Sequence, residues 1–266
     1  MNTRMAGGFG TILRDVAVSL VFLTRIPAVW LGLDPSERPA LSKAVRVFPL
    51  AGALIGGAGG AVLLLGAALD LPPLATGLIA TGFLVVLTGA LHEDGLADTA
   101  DGFGGGQTPA ARLAIMRDSR IGSYGALALI LAIMLRASLL AAFLPQSPFS
   151  AALALVAVEA IGRAAIVHHW VSQPPARPDG LAAALGQPDA ETLRMALAAA
   201  LVIGLCAATA ASGPIAAIVT LAAAGLTTSA FGGWSRCMVG GHTGDTLGAA
   251  EQLTVLAALL ALVAFA

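Results

Sequence analysis

Long apolar stretches alternate with polar links along almost the whole chain. A helix that crosses a membrane needs about 20 mostly apolar residues, because the hydrocarbon layer is about 30 Å thick. An apolar stretch at 16–33 is interrupted by Arg25 and Pro27, and it either spans the membrane or is re-entrant. Seven better stretches approach or reach the required length: 47–69, 74–91, 124–144, 149–167, 196–211, 214–231 and 247–266. The pattern predicts an all-α fold, a polytopic integral membrane bundle of about seven transmembrane helices, with 1–266 as one membrane-embedded domain.

The composition agrees with this pattern and excludes several classes of protein. Hydrophobic residues make up 58% of the chain and charged residues only 11%, against roughly 25% charged residues in a typical soluble domain. A soluble surface would need more charge, and a disordered chain would be far less hydrophobic. The formal net charge of −1 lacks the basic excess of a nucleic-acid-binding protein. The expected partner is therefore a lipid bilayer, and no nucleic acid.

The polar links differ in length and in charge. The links at 70–73, 145–148 and 212–213 are short and contain a single charged residue, Asp70. Because long links alternate with them, all the long links are predicted to lie on one side of the membrane. They carry nine basic residues: Arg38, Lys43, Arg46, Arg112, Arg117, Arg120, Arg177, Arg194 and Arg236. This excess predicts that the side with the long links, which also holds most of the acidic residues, faces the cytoplasm.

The densest acidic segment, 92–102, directly follows an apolar stretch. If the helix continues through it, Asp94, Asp98 and Asp101 lie within about 60° of arc on one face. Three carboxylates so close repel one another unless a cation lies among them. Oxygen ligands suit Mg²⁺ or Mn²⁺ better than zinc, and Mg²⁺ commonly completes its shell with substrate phosphates. The predicted metal ligands are Glu93, Asp94, Asp98 and Asp101, and the alternative is the solvated end of an acidic loop.

The next segment, 104–125, has the residues expected of a phosphate-binding site. Glycines at 104–106 free the backbone, and Thr108 followed by Pro109 is a typical helix start. Several arginines follow, and arginine binds phosphate through two parallel hydrogen bonds. The candidates for substrate binding are Arg112, Ser119 and Ser123. The candidates for catalysis are Asp94, Arg117, Asp118 and Arg120. Asp118 would act as a metal ligand or as a general base. The alternative is that these arginines only fix the topology of the helices.

A second polar segment, 234–246, precedes the last apolar stretch. Its glycines and its charged side chains suit a nucleotide or a second substrate, so Arg236, His242 and Asp245 are further substrate-binding candidates. The alternative for this segment is structural, with Asp245 or Thr246 as the N-cap of the last helix.

A few charged residues lie inside apolar stretches. Glu159 and Arg163 are four residues apart, the spacing of an ion pair within one helix, and Arg163 is also a weak site candidate. Arg136 is expected to extend its guanidinium to the membrane surface. Glu251 is a functional candidate because ionisable groups inside a membrane are costly. An ion-coupled transporter that uses Glu159 or Glu251 is therefore an alternative class.

Five segments together resemble the cobalamin synthase family, the adenosylcobinamide-GDP ribazoletransferases. They are Leu23-Thr24-Arg25-Ile26-Pro27, Phe48-Pro49-Leu50-Ala51-Gly52, 92–102, 116–125 and 240–249. The resemblance covers essentially the whole chain, and the order of the five segments is far more specific than any one of them. Arg25, in the first segment, joins the substrate-binding candidates.

The resemblance implies a transferase with Mg²⁺ as its cofactor. A hydroxyl group of α-ribazole, or of α-ribazole 5′-phosphate, would attack the cobinamide-bound phosphoryl group of adenosylcobinamide-GDP, and GMP would leave. This is the final nucleotide-loop assembly step of cobalamin biosynthesis, and it implies a bacterial inner-membrane enzyme. A homo-oligomer and contacts with other late cobalamin-pathway enzymes are further expected associations.

One motif also resembles a second family. Asp98-x₂-Asp101-Gly102 is similar to the opening of the CDP-alcohol phosphotransferase signature. The similarity is partial, because Gly122 stands where the second aspartate of a later acidic pair is expected. Another membrane enzyme of that type is therefore the alternative within the class of phosphotransferases.

Overall fold

The computed structural model describes residues 8–34, 41–177 and 185–265, and these described residues are predominantly helical. The α-helices are α1 (Gly8–Leu23), α2 (Leu41–Ala44), α3 (Phe48–Ala68), α4 (Pro73–Thr88), α5 (Leu91–Gly105), α6 (Pro109–Ile115), α7 (Ser123–Phe143), α8 (Pro148–Ser172), α9 (Ala190–Ser212), α10 (Pro214–Val239) and α11 (Gly244–Val263). In this part of the chain six helices are long and apolar enough to cross a membrane, or seven if the bent pair α4–α5 forms one span. The predicted polytopic helix bundle is confirmed.

The weak stretch at 16–33 does not form one helix. α1 begins at Gly8 and ends at Leu23, and a short 3₁₀ helix, Ala28–Leu31, follows. The Thr24 hydroxyl accepts a hydrogen bond from the backbone N–H of Ile26, and Pro27 has no N–H to continue a helix. With 16 residues, α1 is shorter than the length that usually spans a bilayer.

The helix α8 lies at the centre of the bundle, with most of its length buried among other helices. Helix α3 packs against it along Gly52, Gly56 and Gly60, which occur every four residues and so share one face. A Cβ atom at Gly56 would lie 2.5 Å from the carbonyl oxygen of Leu155 in α8. The two backbones approach so closely because these glycines have no side chains.

Replacing Gly56 by alanine is therefore expected to destabilise the protein. The added methyl group would meet backbone atoms of α8, and overpacking of this kind costs about 1–3 kcal/mol. Gly57→Ala is the matched control, since a Cβ atom there meets nothing within 4 Å. The measurement is thermal unfolding of the purified variants in detergent. Equal midpoints for the two variants would contradict the close packing of α3 on α8.

A sharp bend separates α4 from α5. The helices meet at an angle of 92°, and the two residues between them, Gly89 and Ala90, both have positive φ angles, of 66° and 58°. The apolar helix therefore does not continue unbroken into the acidic segment. Because α5 is itself a helix, the aspartates of the acidic segment still share one face.

The polar links meet at one end of the bundle. Asp101 of α5 contacts the start of α7, and the segment after α8 pairs with the link before α11 through Pro174 and His242. Arg177 from the same segment reaches Asp245. This confirms that the acidic segment and the two later polar segments lie on the same side.

Candidate active site

Three aspartates form a ridge along α5, here called the carboxylate face: Asp94, Asp98 and Asp101. Asp94 is exposed, Asp98 is half-buried and Asp101 is buried. A rise of about 1.5 Å per residue places the first and the last about 10.5 Å apart along the helix axis. The face therefore extends over about the length of a diphosphate group with its attached sugar, and substrate could contact it at either end.

Asp101 holds the beginning of α7 in place. Its two carboxylate oxygens accept hydrogen bonds from the backbone N–H groups of Gly122 and Gly125, at 2.7 and 2.8 Å. A Cβ atom at either glycine would lie within 2.4 Å of that carboxylate, so only glycine permits the approach. The N-terminus of a helix carries a partial positive charge, which favours a carboxylate there. Each oxygen of Asp101 keeps a further lone pair for another ligand.

Asp98 lies where negative charge accumulates. Burial, together with the nearby carboxylates of Asp94, Asp245 and Asp101, raises the pKa of Asp98 to about 7, although Arg177 opposes this shift. A carboxylate in such surroundings is stabilised in its charged form by a cation. The surroundings of Asp98 thus suit a divalent ion.

Asp245 joins this group from α11. Its Oδ2 atom lies 3.3 Å from Nη2 of Arg177 and accepts a hydrogen bond from the Thr243 hydroxyl. The N-cap of α11 is Thr243, and Thr246 completes a capping box with it. Asp245 is therefore left facing the site, and the alternative that Asp245 or Thr246 is the N-cap was wrong. Arg177 was missed as a site residue, because nothing in its own link indicates which acid it reaches.

Glu93 does not share the carboxylate face. It is buried, and its Oε1 atom accepts a hydrogen bond of 3.0 Å from Nε2 of Gln252 in α11. One residue corresponds to a rotation of about 100° around a helix, so the neighbour of Asp94 points elsewhere. The structure places Glu93 between α5 and α11 and separates it from the other three predicted ligands.

Asp118 and Arg120 form an exposed ion pair in the link between α6 and α7. The Oδ2 atom of Asp118 lies 2.6 Å from Nη2 of Arg120. Hydrogen bonds from Arg120 lower the pKa of Asp118 to about 2, which makes this carboxylate a weak base. Arg117, Ser119 and Ser123 are exposed in the same segment. A cavity joins Asp101, Asp118, Arg120 and Ser123.

Three further arginines predicted to bind substrate lie in different places. Arg112 donates hydrogen bonds to the carbonyl oxygens of Gly106 and Met238, so it ties the glycine segment to the end of α10. Arg236 is exposed in the last turn of α10, and Arg25 is exposed at the bend, where its Nη2 atom lies 3.5 Å from the carbonyl oxygen of Gly89.

His242 has a structural environment. The ring is buried, and its Nδ1 atom lies 3.0 Å from the carbonyl oxygen of Gln173. Backbone hydrogen bonds join the same residue to Pro174 and Ala176. Burial lowers the pKa of His242, so the ring is neutral at pH 7. In this position His242 fixes the segment that carries Arg177.

A buried network of ion pairs crosses the bundle below the carboxylate face. Arg136 of α7 pairs with Glu159 of α8, which also pairs with Arg163, and Arg163 pairs with Glu251 of α11. The ion pair within α8 is confirmed. The expectation that Arg136 reaches the membrane surface was wrong, because its side chain is buried. Both acids that an ion-coupled transporter would use are thus paired with arginines.

Among the described residues, no group of three or more His, Cys, Asp or Glu side chains could hold a metal ion by itself. Mg²⁺ usually binds through one or two carboxylates together with waters and substrate phosphates. A carboxylate face that the substrate completes is consistent with that chemistry, and its oxygen donors suit Mg²⁺.

The described helices thus form a membrane bundle whose polar end brings carboxylates and arginines together. The family model for cobalamin-5-phosphate synthase matches residues 15–263. The chain belongs to that family. A comparison with solved structures finds no match.

Curated relatives are similar over nearly their whole length. The protein from Rhizobium johnstonii is 46% identical over 252 residues, which are 93% of this chain and 95% of the relative. The protein from Azorhizobium caulinodans is 46% identical over 96% of this chain and 97% of the relative. The protein from Brucella ovis is 44% identical over 95% of this chain and 97% of the relative. Each of the three is named adenosylcobinamide-GDP ribazoletransferase.

Proposed function

We propose that this protein transfers the adenosylcobinamide phosphate group from adenosylcobinamide-GDP to α-ribazole or α-ribazole 5′-phosphate. A ribose hydroxyl oxygen forms a bond to the cobinamide-linked phosphorus, the bond from that phosphorus to GMP breaks, and the hydroxyl proton passes to a base. The products are adenosylcobalamin, or its 5′-phosphate, and GMP. The names of the relatives support this assignment, and so does the carboxylate face between two arginine-bearing segments.

Asp98, together with Asp94 or Asp101, is the proposed ligand set of Mg²⁺, because the face is about 10.5 Å long and Mg²⁺ usually binds through one or two carboxylates. The ion, when bound, would neutralise charge on the diphosphate and on the leaving oxygen of GMP. Glu93 is left out of the proposed ligand set because it is hydrogen-bonded to Gln252. Asp101 has a second task, since its hydrogen bonds hold the start of α7 against the site.

The arginines between α6 and α7 are the proposed contacts of the diphosphate. Arg120 is exposed and lines a cavity together with Asp101, and guanidinium groups stabilise the charge that develops on a transferred phosphoryl group. Arg117, Ser119 and Ser123 lie in the same exposed segment. We assign the base to the carboxylate face rather than to Asp118, because the ion pair with Arg120 makes Asp118 a weak base.

The polar end of the bundle is proposed to face the cytoplasm of a bacterial cell, across the inner membrane. Its links carry the basic residues that the positive-inside rule places there. Self-association and contacts with other late enzymes of cobalamin biosynthesis also remain proposals.

Substrate dependence tests the proposed reaction. Purified protein in detergent with Mg²⁺ is expected to release GMP from adenosylcobinamide-GDP only when α-ribazole or its 5′-phosphate is added. The measurement is GMP release by chromatography, together with the mass of the corrinoid product. GMP release at the same rate without a ribazole acceptor would indicate hydrolysis and would contradict the assignment. A corrinoid product without the added nucleoside would contradict it as well.

A further inference from the structure

A cavity opens at the end of the carboxylate face where Asp94 lies. It is bounded by the end of α1, the first turn of α5, the second half of α8 and the first turns of α11. Its lining combines the apolar and aromatic side chains Phe22, Leu91, Ile166 and Trp170 with the charged side chains Asp94, Arg177 and Asp245. A ligand in this cavity would therefore meet both apolar surface and charged groups of the site.

A second aromatic cavity lies against α5, but on its opposite face. Phe103 and Trp234 line it, and a rotation of about 100° per residue puts Phe103 about 180° from Asp94. By the same geometry, Leu91 lies only about 60° from Asp94. Of these two aromatic cavities, only the first is lined by a residue of the carboxylate face, Asp94. The cavity at Asp101 and Arg120 lies at the other end of that face.

Two buried nitrogen atoms on the walls of the first cavity have no hydrogen-bond partner in the structure. They are Nε1 of Trp170 and Nε2 of His92, in side chains that are 1% and 4% exposed. The indole N–H of Trp170 can only donate, whereas Nε2 of His92 donates or accepts according to the tautomer of its ring. Buried polar groups almost always have a partner, which is water or a ligand where the protein supplies none. A flat ligand with an acceptor nitrogen in the plane of its ring would fit this wall.

We propose that this cavity holds the aromatic base of the nucleoside acceptor, with Phe22 and Trp170 as the residues that position it. The inference rests on the proposed function, which supplies α-ribazole as the acceptor. The dimethylbenzimidazole of α-ribazole is flat and largely apolar, and its unsubstituted ring nitrogen accepts one hydrogen bond. With the base against Phe22 and Trp170, the ribose extends towards Asp94, where its hydroxyl group meets the carboxylate face.

Tryptophan fluorescence tests the location of the base directly. The protein is titrated with α-ribazole in the absence of adenosylcobinamide-GDP, so that no turnover is needed. We expect α-ribazole to quench the emission of the wild type and of Trp234→Phe, but not of Trp170→Phe. Loss of the quench in Trp234→Phe instead would place the base in the opposite cavity and overturn the proposal. Absence of any quench in the wild type would overturn it as well.

Kinetics test whether the cavity binds the acceptor. Phe22→Ala is expected to raise KM for α-ribazole roughly tenfold, since base–aromatic contacts have effects of this size, and to leave KM for adenosylcobinamide-GDP unchanged. Leu127→Ala is the matched control, because Leu127 is 57% exposed on α7 and lies outside the cavity. An unchanged KM for α-ribazole, or an equal rise for both substrates, would overturn the proposal. If α-ribazole quenches the fluorescence of the wild type but not that of Trp170→Phe, and the wild type releases no GMP, the proposed function fails and the base site stands.

Discussion

Replacing Asp98 by asparagine is expected to lower the turnover number by about 10³-fold, with little effect on folding. A bound metal ion contributes several kcal/mol to the stabilisation of charge in the transition state, and each 1.4 kcal/mol corresponds to a tenfold change in rate. Asp98 lies at the centre of the carboxylate face, where burial and three neighbouring carboxylates raise its pKa to about 7. Its loss removes the central ligand while the neutral side chain still fits the half-buried space.

The Asp98 experiment needs a control for the substitution and one for the metal. Asp70→Asn is the matched variant, because Asp70 is exposed in the short link between α3 and α4, away from the polar end. Asparagine also tolerates the positive φ angle of 53° found at position 70. Chelation of the wild type is expected to abolish turnover, and added Mg²⁺ to restore it. Turnover of Asp98→Asn close to that of the wild type would refute the ligand assignment, and turnover under full chelation would refute the cofactor.

The helix bundle could be predicted from the sequence because the signals that predict it are local. Apolar length predicts a span whatever the span packs against, and charge in the links predicts which links share a side. The spacing of Asp94, Asp98 and Asp101 likewise predicted a shared face, since helix geometry alone determines it. The glycines of α3 were identifiable as a packing surface for the same reason.

The remaining features depend on contacts between distant segments. The pairing of Arg177 with Asp245 joins residues that are 68 positions apart, and the contact of Glu93 with Gln252 joins residues 159 apart. A single sequence contains no pattern for either contact. The bend before α5 was missed because Ala90 adopts a positive φ angle, which its residue type does not favour. Arg136 was misplaced because a lone charge in an apolar stretch does not reveal a partner on another helix.

The largest loss of stability is expected from Glu159→Gln, which leaves two buried arginines with one acid. Glu159 pairs with both Arg136 and Arg163, and all three side chains are nearly inaccessible to solvent. Removing one member of a buried ion pair typically costs about 3–5 kcal/mol, because the remaining charge has lost its partner in a medium of low dielectric. This network also lies beneath α5, since His92 is 3.9 Å from Glu251.

A second substitution is expected to recover most of that loss. In the double variant Arg136→Met with Glu159→Gln, the pair of Arg163 with Glu251 remains and the uncompensated charge is gone. Replacing a whole buried pair by neutral side chains of similar size is often close to neutral in stability. The measurement is a double-mutant cycle, with the free energy of unfolding of the wild type, both single variants and the double variant obtained by SDS titration in mixed micelles. If the double variant loses as much as the two single variants added together, the two residues are not coupled, and the role of the network in holding α7 to α8 is refuted.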